Sequence, residues 1–160
     1  MSDVLFEQTQ LVPLGLLKSY DKNPRKGNVK AIAESLKVNK QYRPIVVQKS
    51  TKKILAGNHT YKAAQQLGWS QIAVVMVDVT DEEAMRIVLA DNRTSDLAEY
   101  DNQALAELLK DIGDSTGTGY NAADVESLLS TMESTIEAVA QTSSTVREEA
   151  LMQTDDSLED

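Results

Sequence analysis

The chain is 160 residues long, has no cysteine and carries a formal net charge of −9. That length suits one domain of ordinary size with an appended segment, and the missing cysteines remove disulfide frameworks, thiol catalysis and Cys-ligated zinc. No apolar run reaches the roughly 18 residues of a membrane span, and Met1–Gln10 carries Asp3 and Glu7 where a signal peptide is basic and then apolar, so a soluble cytoplasmic protein is expected.

Residues 1–10 form an N-terminal arm. Leu11–Leu17 reads as an opening strand interrupted by Pro13, hence an edge. Tyr20–Asn28 is loop: Asn23-Pro24-Arg25 forces an extended turn and, with Lys22 and Lys26, makes it basic. Asn28 caps a helix with Val29, Ile32, Ala33 and Leu36 on its apolar face. Pro44–Val47 is a β-branched strand with its proline first, and Ser50-Thr51-Lys52 is a hairpin loop that returns the chain to the next strand.

That strand, Ile54–Ala56, stops at Gly57, the residue that most easily takes the angles of a sharp turn. Asn58, His59 and Thr60 follow, then Lys62 and an alanine-rich helix that ends at Gly68. A strand running through glycine into a helix leaves backbone N–H groups pointing outward. With the helix dipole they suit a phosphate or another anion. Thr60 adds a hydroxyl, His59 an imidazole and Lys62 a positive charge. His59 is the only histidine in the chain, placed where a proton donor or phosphate ligand is most useful. Most such junctions are plain connections, so further features have to decide between the two.

Ile72–Val79 is the strongest strand, apolar enough to be covered on both faces. Thr80 with Glu83 forms a capping box for a helix carrying Ala84, Ile87 and Val88, which is expected to end near Asp91. Asp91-Asn92-Arg93-Thr94-Ser95-Asp96 is then a polar patch just past that helix. Asp91 could hold a divalent metal through water, Asn92 could bond a phosphate oxygen and Arg93 could neutralise charge. Asp101 caps another helix with Leu105, Leu108, Leu109 and Ile112 inward and Gly113 as its stop.

Ser115–Gly119 is a flexible joint. Asn121 starts a helix with Val125, Leu129, Met132, Ile136 and Val139 on a heptad seam, which suits docking or self-association. From about Gln141 the chain is Ser/Thr-rich and acidic and is expected to be disordered or fraying. The acidity lies at this end: residues 1–113 hold 15 basic and 14 acidic side chains, a balance of +1, and residues 114–160 hold one and 11, a balance of −10. A near-neutral domain can still bind nucleotide or nucleic acid. The expected division is therefore an arm at 1–10, a domain at 11–113, a linker and helix at 114–140 and an acidic tail at 141–160.

The order of these features resembles the N-terminal domain of the ParB/sulfiredoxin superfamily. It rests on Asn23-Pro24-Arg25, the helix from Val29, Gln41–Val47, the Ala56–Thr60 turn with Ala63-Ala64, and Asp91-Asn92-Arg93, over about Leu11–Gly113. The resemblance implies an α/β (α+β) fold, a small mixed sheet with flanking helices, and a nucleotide pocket. In ParB proteins a glycine-acid-arginine-arginine turn holds the triphosphate of CTP, and an acid-asparagine pair supports metal and phosphate. Gly57–Thr60 stands at the first position and Asp91-Asn92 at the second. The double arginine is missing here. Sulfiredoxins carry a cysteine before the histidine of this turn, and Asn58 in its place excludes sulfinic-acid reductase chemistry. Relatives include an amino-acid kinase, ATPases and DNases, and the segment around Thr118-Gly119-Tyr120 is similar to an extension of phage-type members. A helix-turn-helix region is not expected, because too little chain follows Gly113.

Three readings follow. The first is an NTPase or phosphotransferase that binds ATP or CTP with Mg2+. Gly57, Asn58, His59, Thr60, Lys62, Asn92, Arg93 and Arg25 would hold phosphate, Asp91 the metal, and His59 would act as general acid. The second is a DNA-binding nuclease in the same pocket, with Arg25, Lys26, Arg43, Lys52, Lys53 and Lys62 on phosphates. The third is a non-enzymatic adaptor assembling with itself or a partner protein through the 121–139 helix.

Overall fold

The computed structural model describes residues 3–155, with side chains described through Arg147. The elements in chain order are β1 (Thr9–Pro13), a 3-10 turn (Leu14–Leu16), α1 (Val29–Asn39), β2 (Ile45–Gln48), β3 (Ile54–Ala56), α2 (Asn58–Gln66), β4 (Gln71–Val77), α3 (Asp81–Leu97), α4 (Asn102–Ile112) and α5 (Ala122–Asp155). They group into two compact units, Met1–Glu99 with Thr116–Gly119, and Tyr100–Ser115 with Tyr120–Asp160. Among the described residues no helix is long and apolar enough to cross a membrane.

The first unit is built on a mixed four-stranded sheet of order β1-β4-β2-β3. β4 pairs antiparallel with β1, Thr9 opposite Val75, and parallel with β2, Ile45 opposite Val74. β2 and β3 close an antiparallel hairpin with an irregular register between Val46 and Val47. Pro13 sits on an edge strand, where its missing N–H leaves no ladder bond unmade. β4 is covered on both faces because its residues alternate between two clusters. Ile72 and Val74 join Leu14, Ile45, Val47, Ile54 and Tyr61; Val77 joins Leu55 and the α3 residues Ala84 and Val88. Each such Val, Leu or Ile contributes about 1.5–3 kcal/mol through burial.

The helix starts follow the sequence signals. The Asn28 side chain accepts the Ala31 N–H, and Thr80 with Glu83 forms both halves of the capping box. Several expectations are corrected. The first strand begins two residues earlier, at Thr9, and gives way after Pro13 to the 3-10 turn. α3 does not end near Asp91 but runs to Leu97, so the polar patch is helical. The patch contains no proline or glycine, and the Thr94 and Ser95 hydroxyls bond back to the Ala90 and Asp91 carbonyls.

Of the two compact units the first runs to Glu99, and α4 groups with α5 in the second. Within α4 Ala106 and Leu109 are the buried residues, whereas Leu108 and Ile112 are exposed. Finally, α5 continues through the stretch expected to be disordered as far as Asp155. Its Thr142, Ser143 and Thr145 hydroxyls are satisfied on carbonyls one turn back. The rest of the expected tail, residues 156–160, lies outside the described residues.

Candidate functional site

The turn after β3 has the geometry its sequence asks for. Gly57 is left-handed (φ 98°, ψ 23°) and a side chain there would run into Ile45, so both the angle and the space demand glycine. α2 starts at once. Its first intrahelical bond is Tyr61 N–H to the Gly57 carbonyl at 2.9 Å, so the amides of Asn58, His59 and Thr60 precede any helical acceptor.

The side chains of the turn diverge. Asn58 is buried at 5 % exposure; its Oδ1 accepts the Tyr20 N–H and its Nδ2 donates to the Ile54 carbonyl, both at 2.9 Å. Both ends of the amide are thereby used in holding the chain together, which leaves only the Asn58 backbone for a ligand. His59 is half-buried, and its Nε2 accepts the Gly27 N–H at 2.8 Å, a bond that requires the proton to sit on Nδ1. A side chain on Gly27 would fall 2.6 Å from the imidazole, so this close approach also needs glycine. Burial, then the charges of Lys62 and Arg25, push the His59 pKa down, against a backbone hydrogen bond with Arg25 that works the other way. The imidazole is therefore neutral at pH 7 with its acceptor nitrogen occupied. It braces the 20–28 loop and is a poor proton source.

The same loop reaches α3. Asn23 Oδ1 accepts both the Arg25 N–H (3.1 Å) and Asn92 Nδ2 (3.3 Å), while Arg25 Nη1 lies 3.5 Å from the Asn92 carbonyl and 3.7 Å from the Asp96 carboxylate. The two polar motifs of the sequence thus meet in space. The ion pair is open to solvent and contributes under about 1 kcal/mol.

Beside this strap lies a cleft of about 340 Å³ between the turn and α3. Gly57, Thr60 and Asp91 line it together with Arg43, and Phe6, Pro44, Val46 and Val75 supply an apolar wall. The structure brings Gly57, Thr60 and Asp91 together as the sequence suggests. Arg25, His59 and Asn92 form the adjoining strap, and Lys62 and Arg93 are exposed outside the cleft wall. Lys52 and Lys53 are engaged elsewhere, Lys52 on the Lys49 carbonyl and Lys53 on Asp21 and the Tyr20 ring. Sequence reasoning missed Phe6 altogether and saw Arg43 only as a DNA contact. No local pattern ties either to the turn, because the sheet register brings them there.

Comparison with known proteins follows the same lines. The family model of the ParB N-terminal domain matches residues 5–93. Over 68 residues the chain is 32 % identical to a nucleoid occlusion protein of Oceanobacillus iheyensis, covering 40 % of this chain and 24 % of that one. Over 108 residues it is 29 % identical to the chromosome-partitioning protein Spo0J of Thermus thermophilus, covering 61 % and 40 %. The chain therefore spans about a quarter to two-fifths of the curated relatives it matches. In three dimensions it resembles the C-terminally truncated chromosome-partitioning protein ParB of Caulobacter crescentus, solved with CTP-γ-S. The TM-score is 0.62 at 18 % identity, over 74 % of this chain and 75 % of that one.

Proposed function

The chain belongs to the ParB N-terminal domain family, and from that premise we propose that its first unit binds a nucleoside triphosphate in the cleft between the Gly57 turn and α3. The observation that carries this reading is the meeting of Gly57 and Thr60 with Asp91 in one cleft. Free amides at the start of α2 and the Thr60 hydroxyl would receive phosphate oxygens, and Arg43 would offset their charge. CTP is the first ligand to try, given the ligand of the ParB neighbour, and ATP the second.

Magnesium fits this site as a passenger of the nucleotide. It keeps several waters and needs only one or two carboxylates besides the phosphates, and Asp91 supplies one. A metal held by protein alone needs a larger donor set, and among the described residues there is no group of three His, Cys, Asp or Glu that could hold one. That weighs against the nuclease reading. We assign the cleft binding and give His59 no general-acid role there, since its Nε2 is committed to the Gly27 N–H and its pKa is pushed down by burial and by Lys62 and Arg25.

Titration calorimetry with CTP and ATP, with and without Mg2+, tests the assignment. The wild type binds, Asp91→Asn loses about tenfold of the Mg2+-dependent affinity, and Thr60→Val about threefold to tenfold, as expected for one hydrogen bond. Absence of heat with every nucleotide removes the proposal. The exposed seam Leu129, Ile136, Val139 and Val146 on α5 supports a second, compatible reading, self-association through that helix.

A further inference from the structure

The cleft offers more than partners for phosphate. Phe6, the only phenylalanine of the chain, is 46 % exposed and lines it with Pro44, Val46 and Val75 as well as with Gly57 and Thr60. Neither buried core cluster includes it. Phe6 also lines a neighbouring hollow of about 330 Å³. A partly exposed aromatic side chain in the same cleft as the Gly57 turn is of no use to a bare phosphate or a phosphorylated side chain. It suits a ligand that carries a flat π-system on a phosphate chain.

We propose that Phe6 is the stacking platform for the base of the bound nucleotide, and that the cleft selects nucleoside polyphosphates over other phosphoryl ligands through it. This rests on the phosphate reading of the preceding section. Stacking favours any base, because every base has a π-face. Phe6 therefore separates nucleotide from plain phosphate and does not separate one base from another.

The test compares CTP, ATP and inorganic tripolyphosphate, each with Mg2+, on wild type, Phe6→Leu and Phe6→Trp by calorimetry, with thermal melting to confirm that each variant is folded. Wild type is expected to bind both nucleotides more tightly than tripolyphosphate. Phe6→Leu, which keeps the apolar bulk and removes the π-face, weakens both nucleotides about tenfold and leaves tripolyphosphate unchanged; Phe6→Trp restores them. Unchanged nucleotide affinity in Phe6→Leu overturns the inference, and so does an equal loss for all three ligands. A wild type that holds tripolyphosphate as tightly as CTP and ATP leaves the anion site standing and sinks the stack. One that holds none of the three sinks both.

Discussion

Asn58 and His59 are adjacent, both belong to the turn, and the fold gives them jobs the residue types alone do not announce. Asn58 ties the Tyr20 amide to the Ile54 carbonyl across the sheet edge. Its replacement by alanine leaves both groups without a partner in a nearly dry place, and each such loss costs about 1–3 kcal/mol. Asn58→Ala is expected to destabilise the unit by about 2–4 kcal/mol, visible as a lower urea midpoint, whereas a ligand-only role would leave the apo protein's midpoint unchanged. His59 makes a pH prediction. Its folded pKa lies below the unfolded value of 6.5, so the unfolded chain takes up the proton first as pH falls. No penalty applies above the unfolded pKa. Stability is then lost as pH drops through 6.5 towards the folded pKa, where the loss is complete. Carboxylates titrate nearby as well, so the comparison is with His59→Gln, which keeps an acceptor for Gly27 and does not titrate. The variant should lose less stability than wild type between neutral and mildly acidic pH; parallel curves would show that the imidazole stays out of the linkage.

At the level of elements, the strand-turn-helix unit at Ile54–Gln66 was legible because one glycine, one short apolar strand and an alanine-rich run agree locally. The caps at Asn28, Thr80 and Asp101 were legible for the same reason. The far end of α3 was not. Asp-Asn-Arg-Thr-Ser-Asp has loop composition, yet it contains no proline or glycine and the Thr94 and Ser95 hydroxyls are satisfied on the carbonyls one turn back, so the helix continues, which turns Asn92 towards Asn23 and leaves Asp91 on the cleft. The strap made by the 20–28 loop is a product of that extension. Asn23 is its pivot, since one oxygen accepts from both Arg25 and Asn92. Asn23→Ala removes both contacts at a half-buried site, and the expected cost in global stability is about 1 kcal/mol. Local opening is more sensitive: amide exchange at Arg25 and Gly27 is expected to rise about tenfold, equivalent to 1.4 kcal/mol of local opening energy. Unchanged exchange at those two amides would mean that His59 alone secures the loop.

For the whole molecule, the charge division read from the sequence, +1 over residues 1–113 and −10 over 114–160, places the acidity on the C-terminal part of the chain, largely in the second unit. Half-buried Val125, Leu128 and Met132 lie on α5 where it packs with α4. Past them Ile136, Val139 and Val146 remain exposed at 65 %, 61 % and 60 %, the first two in the steps of four and three that the sequence shows as far as Val139 and the third one heptad further on. A helix rich in serine and threonine is marginal without tertiary support, so covering this seam would stabilise it. A second copy of so acidic a segment would be repelled if its charges flanked the seam. Glu126, Glu133 and Arg147 do flank it, but with Leu129 and Met132 taken as core positions parallel pairing sets Leu128 beside Glu133, Thr135 beside Ala140 and Thr142 beside Arg147 of the other copy, and no like charges meet. The seam is short, so association should be weak and concentration-dependent. Light scattering of the full chain should show a mass that rises with concentration, and Ile136→Asp with Val139→Asp should hold it at the monomer by burying carboxylates against apolar partners. Because both substitutions lie outside the cleft, nucleotide affinity should stay within about twofold of wild type. A wild type that remains monomeric at every concentration would remove self-association and leave the α5 seam to a partner of another kind.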